Sequence, residues 1–185
     1  MTERARRWGL LASVVTVGVA LDQSTKQLAH THLRGRGIVT VIDGFLELRY
    51  ARNPGAFFSL GAELDPTIRR VFFVAASFAA TALILRIYAR TPSAQVALRW
   101  ALVLLLGGAV GNLIDRALTG EVIDFVHMYW RGVFDWATFN VADVLITAGL
   151  AFIVADMFLP RRAAPAEQAP EAAQPEPTTP TETTP

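Results

Sequence analysis

Cysteine is absent from this sequence, and charged residues are scarce. Without a thiol, the chain has no disulfides, no thiolate metal sites and no cysteine nucleophile. Charged residues make up 18% of its 185 residues, against about a quarter in soluble domains. Lys26 is the only lysine and the formal net charge is +1, so nothing indicates nucleic-acid binding. The shortage of charge points to a membrane protein.

Apolar residues are abundant, at 52% of the chain. A membrane span needs roughly 20 mostly apolar residues, and the candidates are residues 8–28, 68–89, 94–114 and 138–159. Any one of these could be a buried helix, but together they leave too little polar sequence to cover them. The first also fits a cleavable signal peptide, although its continuation, LDQSTKQLA, favours a retained helix. We therefore expect a mainly α membrane protein with four transmembrane helices.

A small β-sheet is predicted on the outward-facing surface of the membrane. Residues 37–60 contain the alternating stretches VTVI and FLELRY on either side of Asp43-Gly44, which is typical of a β-hairpin. The stretch GEVIDFVHMYWRGVFDWATF before the last span is rich in β-branched and aromatic residues and can add strands.

The C-terminal tail differs in composition from the rest of the chain. Residues 163–185 are mainly Pro, Ala, Thr and Glu, with nothing to bury, so we expect them to be disordered and dispensable. The sequence thus predicts one membrane domain over residues 1–162.

Polar residues gather at one end of the predicted bundle. Consecutive spans cross in opposite directions, so the ends of the first and third share a face with the starts of the second and fourth. The polar residues at those places are Asp22, Asn53, Asn112, Asp115, Arg116, Asp124, Asn140 and Asp143. Short basic flanks at the opposite end favour cytoplasmic termini, so this cluster is expected to face the periplasm.

Two aspartates are the candidate catalytic residues. An acid inside a span costs roughly 2.5 to 3.5 kcal/mol on insertion scales, which makes Asp143 a functional candidate; the alternative is a structural pair with Arg116. Asp124 by itself does not indicate a function, because an aspartate in a loop at the water interface is ordinary, so its case depends on a pairing with Asp143. If the two carboxylates meet, they tend to share a proton, and such a dyad can activate water without a metal.

Other chemistries find less support in the sequence. Ser24 and Lys26 are two residues apart, so on a helix they face different sides and a Ser-Lys dyad is disfavoured. The three histidines lack metal-ligand spacing and are interpreted as interfacial polar residues. Gly107 and Gly111 have the GxxxG spacing of closely approaching helices.

Five motifs, in order, resemble the lipoprotein signal peptidase (signal peptidase II) family over about residues 8–159. They are DQSTK at 22–26, NPGAFFSL at 53–60, GGAVGNLIDR at 107–116, VIDFV at 122–126 and FNVADVLITAG at 139–149.

The resemblance implies a monomeric aspartic endopeptidase of the bacterial inner membrane, working without metal or cofactor among membrane lipids. Its substrates would be diacylglyceryl-modified prolipoproteins, held by the surface sheet and cleaved just before the lipidated cysteine. By matching position, Asp124 and Asp143 would be catalytic. The supporting or substrate-binding residues would be Asp22, Lys26, Asn53, Gly108, Asn112, Arg116 and Asn140.

Two rival classes remain open at the level of sequence. In a proton-coupled transporter or channel, buried carboxylates relay protons. Transporters usually place such groups near the midplane and often show internal repeats, whereas these acids crowd one face. In a membrane assembly factor, the same polar residues would be structural only.

Overall fold

The computed structural model describes residues 2–55 and 65–158. Its elements, in chain order, are α1 (Glu3–His32), β1 (Val39–Ile42), β2 (Leu46–Asn53), α2 (Pro66–Arg90), α3 (Val96–Thr119), β3 (Val122–Trp130), β4 (Phe134–Asp135) and α4 (Val141–Phe158). The end of the predicted hairpin segment, residues 56–60, and the predicted tail, residues 163–185, lie outside the described residues.

Local signals explain where the helices begin and end. The side chain of Thr2 accepts a hydrogen bond from the Ala5 amide and caps α1. Asp65 caps α2, with a proline at the first helical position, where a missing N–H costs nothing. Gly120 ends α3 with a φ of 81°, a left-handed conformation that favours glycine.

Within the described residues, three helices are long and apolar enough to cross a membrane: α2, α3 and α4. The four-span prediction is therefore only partly confirmed. α1 is the longest helix, at 30 residues, but arginines at its start and the pair Asp22 and Lys26 near its end make it more polar than the other three.

α3 is the central helix, because it packs against α1, α2 and α4. The apolar core between them includes Leu11, Leu102 and Leu106. α3 and α4 approach closely at Gly108, where an added Cβ would lie 2.3 Å from the Ala142 carbonyl oxygen. At Gly107, by contrast, an added Cβ would lie 3.6 Å from the nearest atom, so Gly107 is not at the tight contact that its GxxxG spacing suggested.

The four strands form one antiparallel sheet in the order β1-β2-β3-β4. The predicted hairpin is confirmed as β1 and β2, and the aromatic stretch before α4 does supply β3 and β4. β2 ends with Asn53 opposite Val122, the first residue of β3. An isolated bridge from Val126 to Phe139 then ties β3 to the segment that leads into α4. The sheet thus lies against the end of the bundle where the polar residues gather.

Candidate active site

Asp143 occupies the first turn of α4 and is held by reciprocal hydrogen bonds. The Asn140 side-chain oxygen accepts from the Asp143 amide at 2.9 Å, and Asp143 Oδ2 accepts from the Asn140 amide at 3.1 Å. This is the geometry of a capping box. Asn112 Nδ2, from α3, donates to the other carboxylate oxygen at 2.9 Å. A carboxylate here also gains from the positive end of the helix dipole.

The alternative role for Asp143, a structural ion pair with Arg116, is not found. Within residues 2–55 and 65–158, no ion pair joins these side chains. Arg116 instead makes long contacts with two backbone carbonyls, those of Asn112 at 3.5 Å and Gly55 at 3.4 Å. It therefore links α3 to the chain that follows β2.

Asp124 lies in β3 and is 3% exposed. Asn140 Nδ2 donates to Asp124 Oδ1 at 2.6 Å, and Asn53 Nδ2, from the end of β2, donates to Oδ2 at 3.2 Å. The strand register brings Asn53 here, because Ala51 is paired with Asp124 across the two strands.

Two asparagines connect the aspartates. Asn140 binds Asp124 through its side chain and Asp143 through its backbone. Asn140 Nδ2 also donates to the side-chain oxygen of Asn112 at 3.3 Å, and the side-chain nitrogen of Asn112 donates in turn to Asp143. Asn140 is fully buried. Residues from α3, β2, β3 and the start of α4 thus form one hydrogen-bonded group around both carboxylates.

The environment of Asp124 favours its protonated form. Burial, and then the negative charge of Asp143, raise the pKa of Asp124 to about 6, although hydrogen bonds from Asn53 and Asn140 and the charge of Lys26 oppose the shift. A carboxyl group that titrates near neutral pH can both donate and accept a proton during a reaction.

Lys26 is the centre of a second, deeper polar group. It is 2% exposed, and its ammonium lies 2.7 Å from Asp22 Oδ2, 2.8 Å from Asp115 Oδ2 and 3.0 Å from Asn112 Oδ1. An ammonium has three protons to donate, so all of them have acceptors within the protein. Lys26 is therefore engaged by carboxylates rather than free to activate Ser24.

Asp22 and Asp115 extend this group to neighbouring elements. Asp22 Oδ1 accepts from the Ala142 amide at 2.9 Å, which satisfies one of the unpaired amides at the start of α4. Asp115 accepts from Gln23 at 2.9 Å and from the Ile123 amide at 3.3 Å. The Lys26 group thereby joins α1, α3, α4 and β3 and fixes the elements that carry the two candidate catalytic residues.

Glycines make room for these contacts. An added Cβ at Gly111 would lie 2.6 Å from Asp22 Oδ2, so the carboxylate needs glycine at this place in α3. Gly108 makes no polar contribution, and it acts by letting α4 approach α3.

Some polar residues of this end were not selected from the sequence. Gln23 was overlooked, although it lies three residues before Lys26 and so shares its helix face. Asp115 was placed at the polar end but not among the site residues. His127, interpreted from the sequence as an interfacial polar residue, is only 4% exposed and lies between Glu47 and Asp135 at 3.4 and 2.8 Å, so its polar partners come from the sheet.

Comparison with known proteins identifies the family of this chain. The family described as signal peptidase (SPase) II matches residues 14–159. The lipoprotein signal peptidase of Desulforapulum autotrophicum is 42% identical over 144 residues, covering 78% of this chain and 88% of that protein. The lipoprotein signal peptidase of Geobacter sulfurreducens is 40% identical over 154 residues, covering 83% and 94% respectively.

Solved structures also share the fold. Two chains described as bacterial membrane enzymes, solved by the in meso method, each align with a TM-score of 0.70. One is 30% identical, covering 80% of this chain and 87% of that one, and the other is 28% identical, covering 81% and 93%. The chain is thus a multi-pass membrane protein that belongs to the signal peptidase II family of bacterial peptidases.

Proposed function

We propose that this protein removes the signal peptide from prolipoproteins whose cysteine carries diacylglycerol, and that it cleaves just before that cysteine as an aspartic endopeptidase. The names of its relatives support the substrate class. The observation that supports the mechanism is the sharing of Asn140 between Asp124, which is buried, and Asp143, which is partly buried, because one residue in contact with both carboxylates is what a catalytic pair requires.

The local charge balance favours one retained proton. Asp22, Asp115, Asp124 and Asp143 lie at this end with Lys26 and Arg116 as the cations that contact the group. If every group were ionised, acids would outnumber cations in a buried region, which is costly. A single proton shared by Asp124 and Asp143 reduces the imbalance and gives the dyad one acid and one base.

In this proposal the two aspartates and one water molecule carry out the hydrolysis without a cofactor. The ionised aspartate takes a proton from water while the water oxygen attacks the carbonyl carbon of the peptide bond, and the protonated aspartate donates its proton to the carbonyl oxygen. When the resulting diol collapses, one of its hydroxyl groups returns a proton to the ionised aspartate, the C–N bond breaks, and the leaving nitrogen takes the proton held by the other aspartate. Asn53, Asn112 and Asn140 hold the carboxylates in place during both steps.

The other site residues have positioning roles in this proposal. Arg116 offers planar donors to a backbone carbonyl of the substrate, as it does to the Gly55 carbonyl here. The Lys26 group fixes the helix ends, and Gly108 sets the distance between α3 and α4. The sheet holds the extended part of the substrate beside the dyad.

We further propose that α1 is a fourth span, in the inner membrane, with both termini cytoplasmic and the dyad near the periplasmic face. Its 30 residues give a length of about 45 Å, more than the roughly 30 Å of the hydrocarbon core. Asp22 and Lys26 neutralise each other inside the bundle, which lowers the cost of placing them there. A lipid-anchored substrate then reaches a monomeric enzyme by lateral diffusion.

The test uses Asp124→Asn and Asp143→Asn separately in a lipoprotein-processing assay with purified, reconstituted protein. Each change is expected to abolish turnover while the protein still accumulates. The one carboxyl group that remains cannot act as the acid and the base at the same time. Asp43→Asn is the matched control, since Asp43 is 79% exposed and pairs with Arg131 on the sheet, and it should process normally. Near-normal processing by either dyad variant contradicts the mechanism, whereas no processing by the wild-type protein itself favours a transporter or an assembly factor.

A further inference from the structure

At the end of the bundle opposite the dyad, one tyrosine is covered by two arginines. Tyr88 is 1% exposed, and the guanidinium carbons of Arg7 and Arg99 lie 4.6 and 5.9 Å from its ring centroid. Arg7 also donates to the Tyr88 carbonyl, and the Tyr88 hydroxyl donates to the Arg7 carbonyl at 3.1 Å. Trp8 packs edge-on against the same ring at 5.6 Å. We call these residues, Arg7, Trp8, Tyr88 and Arg99, the Tyr88 cluster.

The Tyr88 cluster carries positive charge that the described protein does not balance. Across residues 2–55 and 65–158, no carboxylate forms an ion pair with Arg7 or Arg99. The Nε atoms of both arginines are buried, and neither has a hydrogen-bond acceptor within those residues. Buried donors are nearly always satisfied in proteins, and two cations on one ring repel each other. Both features indicate a site that suits an anion.

A cavity of about 370 Å³ adjoins the Tyr88 cluster. It is lined by Glu3, Arg4, Arg7, Trp8, Ala89 and Ser93, so its wall carries two guanidinium groups, those of Arg4 and Arg7, and a single acid. α3 begins close by, and Gln95 makes no side-chain cap there, which leaves the positive end of the helix dipole uncompensated. The cavity is large enough for a phosphate group and predominantly positive.

The position of the cluster limits which anion can reach it. Arg7 and Asp22 are separated by 15 residues of one helix, or about 22 Å along its axis, so the Tyr88 cluster lies near the other boundary of the membrane. Trp8 is of the type enriched at that boundary. The anion concentrated there is the phosphate of membrane lipids, and basic pockets between helices on the cytoplasmic side are suited to anionic headgroups.

We propose that the Tyr88 cluster is a binding site for the phosphate of an anionic phospholipid. Arg4 and Arg7, which line the cavity, bind the phosphate oxygens through their terminal nitrogens, and Arg99 adds positive charge at the ring of Tyr88. The proposal does not depend on the peptidase mechanism, since the site shares no residue with the dyad.

The test measures lipid binding to the purified full-length protein by native mass spectrometry, with titration of phosphatidylglycerol, phosphatidylcholine and inorganic phosphate. The variant Arg7→Gln/Arg99→Gln is compared with Arg6→Gln/Arg90→Gln, which removes the same charge from the same end at exposed positions that neither line the cavity nor contact the ring of Tyr88. We expect the first variant to bind phosphatidylglycerol about 30-fold more weakly, and the second to bind it within about threefold of the wild type, because screened surface charge contributes little.

Other outcomes overturn the proposal. Equal weakening by both double variants indicates a diffuse surface charge rather than a site. Equal binding of phosphatidylcholine shows that headgroup charge is not recognised, and equal binding of inorganic phosphate shows a free-phosphate site. Should the cluster variant fail to fold, Arg4→Gln replaces it, because Arg4 is exposed; about fivefold weaker phosphatidylglycerol binding is expected, and unchanged binding refutes the site.

Discussion

The two ends of the helix bundle differ in whether their cations are paired with carboxylates of the described residues. At the dyad end, Lys26 lies within 3.0 Å of two carboxylates and one amide oxygen, and every partner comes from the protein itself. At the other end, Arg7 and Arg99 lie against the ring of Tyr88. No carboxylate within the described residues pairs with them.

This difference shows what each end requires. The proposed reaction with two acids needs fixed positions, and Lys26 provides them by pairing with Asp22 and Asp115 on the helices beside the two candidate catalytic residues. An end that faces lipid headgroups can leave its cations for partners outside the protein. The dyad end should therefore lose more stability than the arginine end when a cation is removed.

The largest expected effect is that of Lys26→Met. It leaves Asp22 and Asp115 buried without their cation, which typically costs about 3 to 5 kcal/mol. The matched change at the other end, Arg99→Met, removes a cation–π contact and a long, exposed hydrogen bond to the Ser93 carbonyl, and should cost about 0.5 to 1 kcal/mol. Thermal unfolding in detergent measures both. The triple variant Asp22→Asn/Lys26→Met/Asp115→Asn should recover much of the loss, and equal losses at the two ends contradict the comparison.

The next largest effect is a pH dependence of the difference in stability between Asp124→Asn and the wild type. The pKa of Asp124 is raised from 3.8 to about 6 by burial and by Asp143, so between those values the folded protein holds a proton that the unfolded chain has released. Wild-type stability therefore falls as the pH rises through this window and stays lower above it. Asparagine does not titrate, so the stability of the variant relative to wild type should rise by up to about 3 kcal/mol between pH 4 and 7. A difference that is constant with pH contradicts the shift.

A smaller loss is expected from Gly108→Ala. The new Cβ would lie 2.3 Å from the Ala142 carbonyl oxygen, so α3 and α4 must move apart, at a typical cost of about 1 to 3 kcal/mol. Because Asn112 and Asp143 lie on those two helices, processing should fall by about 100-fold. Gly107→Ala is the control, since its Cβ would make an ordinary contact at 3.6 Å. Similar behaviour of the two variants shows that the separation of the helices does not position the dyad.

The smallest change in stability should follow from substitutions of Asn140, whose roles can be separated. Asn140→Ala removes both the cap of α4 and the hydrogen bond to Asp124, and the lost cap costs about 1 kcal/mol. Asn140→Ser keeps a capping oxygen but cannot donate as the amide does, so stability should be close to wild type while processing is reduced about tenfold or more. Normal processing by the serine variant would mean that Asn140 acts only as a cap.

Much of the fold followed from local sequence patterns. Apolar stretches located the helices to within a few residues at many of their ends, and the Asp43-Gly44 turn located the hairpin. The alternation of helix direction also placed Asp124 and Asp143 at one end of the bundle, where both now contact Asn140. These features depend on residues that are close in sequence, or on direction alone.

What could not be predicted depends on which neighbour a side chain meets. The GxxxG spacing of Gly107 and Gly111 does not single out Gly108, and the position of Ala142 is what selects Gly108 for the close contact. The sequence does not distinguish Gln23 from other polar residues near a helix end, because its partner, Asp115, lies on a different helix. The burial of His127 depends on Glu47 and Asp135, which come from different strands.

The amino-acid sequence by itself determined that the chain is a membrane protein of helices and a small sheet, with its acids at one end, because composition, periodicity and turn residues act locally. The tertiary structure decided how those acids are held. Asn140 reaches Asp124 and Asp143 together, and Lys26 reaches Asp22 and Asp115 together, only because elements far apart in sequence pack side by side. Hydrogen bonds extend over about 3 Å, so the packing of whole helices and strands determines which polar groups meet.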